Sequence, residues 1–319
     1  MQGRRSLRLI GHGLLQAGPI LVMATFLVFA LMHLVPGDLA FTLAGENATR
    51  ERVEEIRSLY GLDRPVLVQY GSWLWKMLHG DLSVSLLSGE PVLTSILHRL
   101  PVTLLIVSAA MALSLLLGIP LGILASARPR SLIDSFVTTF ASIGIALPSF
   151  WLAMILVSLL ALTFQWFPVS GMVEPKVNLF DALYHAFLPA VALAASGVAE
   201  VARQTRSALM EVQSSQYVRT LVAKGLPASQ IFWKHGLKNI SVTLLTVTGL
   251  LFNRLLGGTV VIEAVFAISG MGSLVVGAAT GKDYPVVQGV MLTMVLIVIT
   301  INLVIEILYA LLDPRVARQ

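Results

Sequence analysis

Long apolar runs alternate with short polar punctuation along the chain, and the period of the polar segments is helical. After Arg4, Arg5 and Arg8 comes an apolar run from about Leu14 to Val35. At about 22 residues it is long enough to cross a bilayer and longer than the apolar core of a cleaved leader. It ends in Pro36-Gly37-Asp38. Further apolar runs predict spans at 101–127, 136–164, 186–202, 240–266 and 286–312. The expected fold class is therefore an all-α integral membrane protein with six transmembrane helices. Residues 1–35 hold the N-terminus and first helix, 101–312 the main transmembrane domain, and 313–319 a tail.

Residues 36–100 break this pattern. Eight acids and six bases lie between Asp38 and Arg99, and no stretch there is apolar enough to span. The segment Arg50 to Tyr60 has apolar residues at 53, 56, 59 and 60, the spacing of an amphipathic helix. Gly61-Leu62-Asp63-Arg64-Pro65 ends it. From Val66 to Leu78, Tyr70, Trp73, Leu74 and Met77 fall on one side, and Trp73 and Trp75 suit an interfacial depth. This predicts a small external cap on the membrane surface between helices 1 and 2.

Two smaller features concern packing. Gly118 and Gly122 form a small-xxx-small pattern that lets helices approach closely. Pro120, Pro148 and Pro189 lie inside predicted spans, where kinks are expected.

Composition agrees with a bilayer. Of 319 residues, 56% are hydrophobic and 12% charged, far from soluble norms. Of the 22 Lys and Arg, thirteen fall on segments that six spans place in the cytoplasm, eight outside, and Arg254 within a span. Most of the outer ones sit in the long cap, where the positive-inside tendency weakens. Both termini are thus expected in the cytoplasm. The net charge of +5 is explained by these loops, and no basic surface interleaved with aromatics points to nucleic acid.

Chemistry is sparse. There is no cysteine, hence no disulfide framework and no thiolate. A phosphate-cradling loop needs four residues between its glycines and a hydroxyl after the lysine. Gly277-Ala278-Ala279-Thr280-Gly281-Lys282-Asp283 has three, and an aspartate there. The six histidines (12, 33, 79, 98, 185 and 235) are scattered without metal-ligand spacing. No nucleophile elbow occurs.

Deep charge is the exception. Arg254 lies 14 residues beyond Ile240, about 21 Å along the helix. At that depth arginine costs about 2.5–3.5 kcal/mol on insertion scales, so it faces a wet path or a partner. One reading gives it a structural hydrogen bond to Asn302 or a backbone carbonyl. The other has it lining a path with Asn253. Glu263, nine residues on and half a turn round, ends the span where a carboxylate can be hydrated, as a candidate rim or gate.

The remaining polar stretch, 203–239, holds six Lys and Arg against Glu211 alone. Charge by itself allows a topology-setting loop or a docking element for a cytoplasmic partner. Its residues Tyr217-Val218-Arg219-Thr220-Leu221-Val222-Ala223-Lys224-Gly225-Leu226, then Lys234-His235-Gly236-Leu237-Lys238-Asn239, resemble the coupling loop of bacterial ABC importer permeases. The dipeptide, oligopeptide and nickel subfamily is the nearest in kind. Pro36-Gly37-Asp38, Gly61 to Pro65, Gln69-Tyr70, Gly80-Asp81-Leu82 and Pro91-Val92 carry the resemblance through the cap. Leu147 to Trp151, Pro168 to Gly171, His185, Leu188-Pro189, Asp283 to Gln288 and Asp313-Pro314-Arg315 extend it to the end. Two departures stand out. Val242-Thr243 replaces a leucine–proline pair, and Ile268-Ser269 replaces tryptophan–proline before Gly270-Met271-Gly272.

The resemblance implies a type I importer fold in the bacterial inner membrane and a coupling helix at about Gln216 to Gly225. Tyr217, Arg219, Thr220, Ala223, Lys224 and Gly225 would engage an ATPase subunit, and Asn253, Arg254, Glu263 and Asn302 are candidates for the path. The expected partners are a second permease, two ATP-binding subunits, a periplasmic or lipid-anchored binding protein and membrane lipid. ATP and magnesium would belong to the ATPase subunits, with no cofactor in this chain and no enzyme activity of its own. The expected cargo is a di- or oligopeptide. A nickel chelate or glutathione-like solute is the alternative, to which the short external loop at 169–185 is similar, although Arg254 disfavours free nickel. A secondary transporter would need mid-membrane coupling carboxylates, and a membrane enzyme a clustered acid, base or metal site.

Overall fold

The computed structural model describes residues 18–32, 39–44 and 48–312. The helices run α1 (Gly18–Met32), α2 (Leu39–Ala44), α3 (Arg50–Leu59), α4 (Val66–Leu78), α5 (Val92–Ala127) and α6 (Leu132–Ala146). Next come α7 (Ser149–Leu156), which continues as a π-helix over Val157–Thr163, α8 (Leu179–Ser214) and α9 (Gln216–Ala223). The rod Ala228–Val265 joins α10 (Ala228–Gln230), a π-turn at Ile231–Gly236 and α11 (Leu237–Val265). The last two are α12 (Met271–Thr280) and α13 (Tyr284–Leu312). Among the described residues the only β pairing is one bridge, Val84 to Pro91.

Four of these helices are long and apolar enough to cross a membrane, and α6 with α7 makes a fifth if the bent pair counts as one span. Only residues 18–32 of the expected first span are described. The arginines before it, Pro36-Gly37-Asp38 and the Asp313-Pro314-Arg315 tail lie outside the described residues.

Several boundaries differ from those expected, each for a local reason. The helix of the second span starts at Val92, because Pro101 is accommodated inside α5; membrane helices tolerate this where neighbours satisfy the freed carbonyl. Pro148 does more than kink the third span. It drives Leu147 out of the helical region, to φ −77° and ψ 123°, as proline does to its predecessor, and the axes of α6 and α7 differ by 96°. Pro189 sits inside α8 and Pro120 inside α5 without ending either. The fourth span is the middle of a 36-residue helix. Asn178 caps its start, accepting from the backbone N–H groups of Phe180 and Asp181. Part of the expected loop after the fifth span is α12, with Met271 fully buried.

The chain forms two compact units. One comprises residues 1–100 with 270–300 and the other 101–269 with 301–319. In the first, α4 turns Tyr70 and Trp73 onto Phe29 of α1. The Tyr70 hydroxyl donates to the Val22 carbonyl at 3.0 Å and lies 3.0 Å from Thr25 Oγ1. Trp73 packs against protein, while Trp75 remains exposed. Asp283 fastens the loop after α4 to the start of α13. Its buried carboxylate accepts from Ser85 Oγ and from the Leu86 backbone N–H.

In the second unit α8 is the central helix, flanked by α6, α7 and α11. Its alanine-rich faces bury Ala190, Ala194, Ala199 and Ala202. The Gly118 and Gly122 face of α5 presses against it. A Cβ on Gly118 would stand 2.7 Å from Val201 Cβ, and one on Gly122 2.5 Å from the Ala202 carbonyl oxygen.

Candidate functional site

The basic segment divides into three pieces. Residues 203–214 extend α8 and only then does the chain turn, at Ser215. Ser215 is extended, and its side chain accepts from the Val218 backbone N–H to cap α9. The helix stops by a Schellman pattern. Leu226 N–H donates to the Leu221 carbonyl at 3.2 Å and Gly225 N–H to the Val222 carbonyl at 2.9 Å. Gly225 takes φ +78° there, a conformation that costs a residue with a side chain about 1–2 kcal/mol. Pro227 then opens the rod Ala228–Val265.

Of the residues of α9 only Val218 is buried. Tyr217 reaches across to His235, its hydroxyl 2.9 Å from Nδ1, with the rings edge to face at 6.0 Å. Arg219, Thr220, Ala223 and Lys224 are exposed, and neither Arg219 nor Lys224 has an ion-pair partner among the described residues. Beneath α9 lies an apolar cleft of about 800 Å³, lined by Leu124, Val218, Val222, Leu226, Phe232 and Trp233 among others. The structure thus brings the six coupling candidates onto one short surface helix and its C-terminal turn.

A partly buried ion pair steadies the root of this arm. Asp134, in the first turn of α6, receives Arg206 of α8 through both carboxylate oxygens, the Nη2 contact being 2.8 Å. The Arg130 backbone N–H adds a third bond at 2.9 Å and Thr138 a fourth at 3.3 Å. Bidentate pairing fixes geometry as well as charge. The sequence contains both residues, but nothing in their spacing joins positions 72 apart.

Each deep charge has its own setting. Arg254 pairs with Glu200 of α8, and neither Asn302 nor a backbone carbonyl takes its Nη1. Its side chain is 49% exposed and that of Glu200 21%. Asn253, the preceding residue, has its buried Oδ1 without a donor among the described residues. Asn302 is exposed on α13. Glu263 is fully buried and accepts from Thr103 Oγ1 at 2.6 Å; a hydrated carboxylate was expected at this position. Glu200 went unremarked because a fourth span ending at 202 puts it at the inner edge. Once α8 is seen to run to Ser214, Glu200 lies well inside it, 14 residues from that end, as Arg254 lies well inside α11. Among the described residues no group of three or more His, Cys, Asp or Glu could hold a metal.

Comparison with known proteins adds the following. The family profile described as binding-protein-dependent transport system inner membrane component matches residues 118–318. The N-terminal profile of the same kind of membrane component matches residues 6–107. A Brucella abortus protein that carries a peptide transport system permease name is 42% identical over 301 residues, covering 94% of this chain and 96% of that one. The oligopeptide transport system permease protein AppB of Bacillus subtilis is 38% identical, with 93% and 95% covered. The dipeptide transport system permease protein DppB of Escherichia coli is 34% identical, with 94% and 96% covered. Among solved structures, an inward-facing MetNI methionine ABC transporter chain superposes with a TM-score of 0.56 at 19% identity. That match covers 70% of this chain and 99% of the other.

Proposed function

The chain belongs to the family of binding-protein-dependent transport system inner membrane components, and from that membership we propose that it forms half of the path of an ATP-driven importer for di- or oligopeptides. The observation that carries the cargo class is likeness over nearly the whole length to permeases named for peptide transport. No finding favours a nickel chelate. The chain is an integral, multi-pass permease with the type I importer fold. In this reading both termini and α9 lie in the cytoplasm and residues 36–100 outside.

The rest follows from what the chain can and cannot do. A second, related permease completes the path, and two ATP-binding subunits supply the energy. ATP and magnesium are held by those subunits. An extracytoplasmic binding protein delivers the peptide. The exposed face of α9, with Arg219, Thr220, Ala223 and Lys224, enters a groove on one ATPase subunit. The cations meet acidic groups there and the small Ala223 allows close approach. Movement of the groove is passed to α8 through the Ser215 turn and to α11 through the Tyr217–His235 contact. Arg254 and Glu200 lie at mid-helix and suit the two ends of a zwitterionic peptide, with Asn253 beside them. Asn302 extends this polar lining from α13.

The test is uptake of a labelled dipeptide into vesicles holding the full complex. Transport that requires ATP, both ATPase subunits and the binding protein is expected. Transport driven by an ion gradient without the ATPase subunits would establish a secondary transporter in its place.

A further inference from the structure

The first unit contains a cavity of about 270 Å³ that the path does not use. It lies among Arg64, Trp73, Lys76, Ser83, Tyr284 and Gln288, with further wall from α1 and α4. Every charged residue that lines it is a cation. Arg64 and Lys76 are exposed and have no ion-pair partner among the described residues. The neighbouring Asp81 is engaged elsewhere, accepting from the Ser83 backbone N–H at 2.7 Å. Two further groups in the wall lack partners. Gln288 is 6% exposed and its side chain makes no hydrogen bond among the described residues. The indole N–H of Trp73, 8% exposed, has no acceptor. A buried donor left unpaired is costly, so the Trp73 indole beside the open Gln288 amide marks a place where an acceptor belongs.

The turn carrying Arg64 is built in. Gly61 takes φ +65°, and the Gln69 side chain donates to the carbonyls of Leu62 and Arg64, the latter at 2.8 Å. Two cations, an amide and an indole donor make a receptor for a carboxylate. The volume falls below the range of about 300–1,000 Å³ typical of pockets that enclose a whole small molecule, which favours a side chain over a complete peptide.

We propose that this cavity receives an acidic side chain of the extracytoplasmic binding protein and so orients it on the permease. The inference rests on the reading of the chain as a binding-protein-dependent permease with residues 36–100 outside. It differs from that reading in naming the contact and its chemistry.

The experiment titrates binding protein against peptide-stimulated ATP hydrolysis in the complete reconstituted importer. Arg64→Glu with Lys76→Glu raises the half-maximal binding-protein concentration about ten-fold and keeps the maximal rate, since losing charge complementarity weakens docking without touching the motor. Gln288→Leu, which removes the amide and no charge, raises it about three-fold. If the reversed charges block assembly, Arg64→Gln with Lys76→Gln gives the same direction at about three-fold. Half-maxima equal to wild type overturn the proposal. So does a shift confined to membranes containing anionic lipid, which assigns the cavity to a head group. A shift in peptide concentration at saturating binding protein assigns it to the cargo and also overturns it. Should the wild-type complex respond to a solute other than peptide, the cargo assignment falls, while the docking shift is read with that solute.

Discussion

Arg254 and Glu200 show why a single residue in a membrane helix has to be judged with its neighbour. A charge on a membrane helix is expensive alone; Arg254 and Glu200, on α11 and α8, satisfy one another while keeping surface exposed. Arg254→Glu sets two carboxylates side by side, and the amount of folded permease recovered from membranes is expected to fall. Adding Glu200→Arg restores the pair and the yield. In the restored variant the preference for peptides with a free over an amidated C-terminus is expected to weaken, as read by competition uptake. An unaltered preference removes the pair from the path. Glu263 is a different kind of acid, closed off inside the protein with Thr103 donating to it. Thr103→Val keeps the shape and deletes the donor, so stability drops by about 1–3 kcal/mol, visible as a lower melting temperature in detergent. Unchanged melting would mean that other donors suffice.

At the scale of elements, α8 carries most of the organisation. Its small residues let α5, α6 and α11 close on it, and its extension past the apolar stretch puts Ser215 and α9 well clear of Ala202. The Asp134–Arg206 pair ties that extension to α6. Removing one partner of a largely buried pair leaves the other uncompensated. Asp134→Ala is therefore expected to cost about 2–3 kcal/mol by thermal unfolding. It also lowers uptake more than ATP hydrolysis, because force from α9 is then lost in a loosened arm; equal losses of both would contradict this. How much of this was legible follows from range. The short helix at about 216–225 was expected from the resemblance, and the serine cap and the glycine stop that bound α9 act on their own neighbours. The close approach at Gly118 and Gly122 was legible for the same reason. The bend at Leu147 was legible only in part, since proline announces a break but the angle depends on what α7 packs against. The pairs Asp134–Arg206, Arg254–Glu200 and Asp283–Ser85 were not legible, because each joins segments far apart in sequence and is fixed only by helix packing. The extents of α5 and α8 were hidden too, as hydropathy marks where lipid begins and a helix continues into water.

Taken whole, the molecule is an all-helical permease without a metal cluster among its described residues, and two of its polar surfaces stand out. One is the cationic cavity of the unit formed by residues 1–100 and 270–300, and the other is α9 in the unit formed by 101–269 and 301–319. The account assigns delivery of the solute to the first and delivery of energy to the second. Its centre is the claim that work enters through the exposed face of α9. Ala223→Trp tests this directly, because Ala223 is exposed and a surface change there leaves folding within about 0.5 kcal/mol. Peptide uptake and peptide-stimulated ATP hydrolysis are measured together in the reconstituted complex. The account predicts that both fall at least about ten-fold, equivalent to about 1.4 kcal/mol of lost docking, while the permease stays inserted with wild-type melting. Both rates at the wild-type level would show that the motor grips the chain somewhere else.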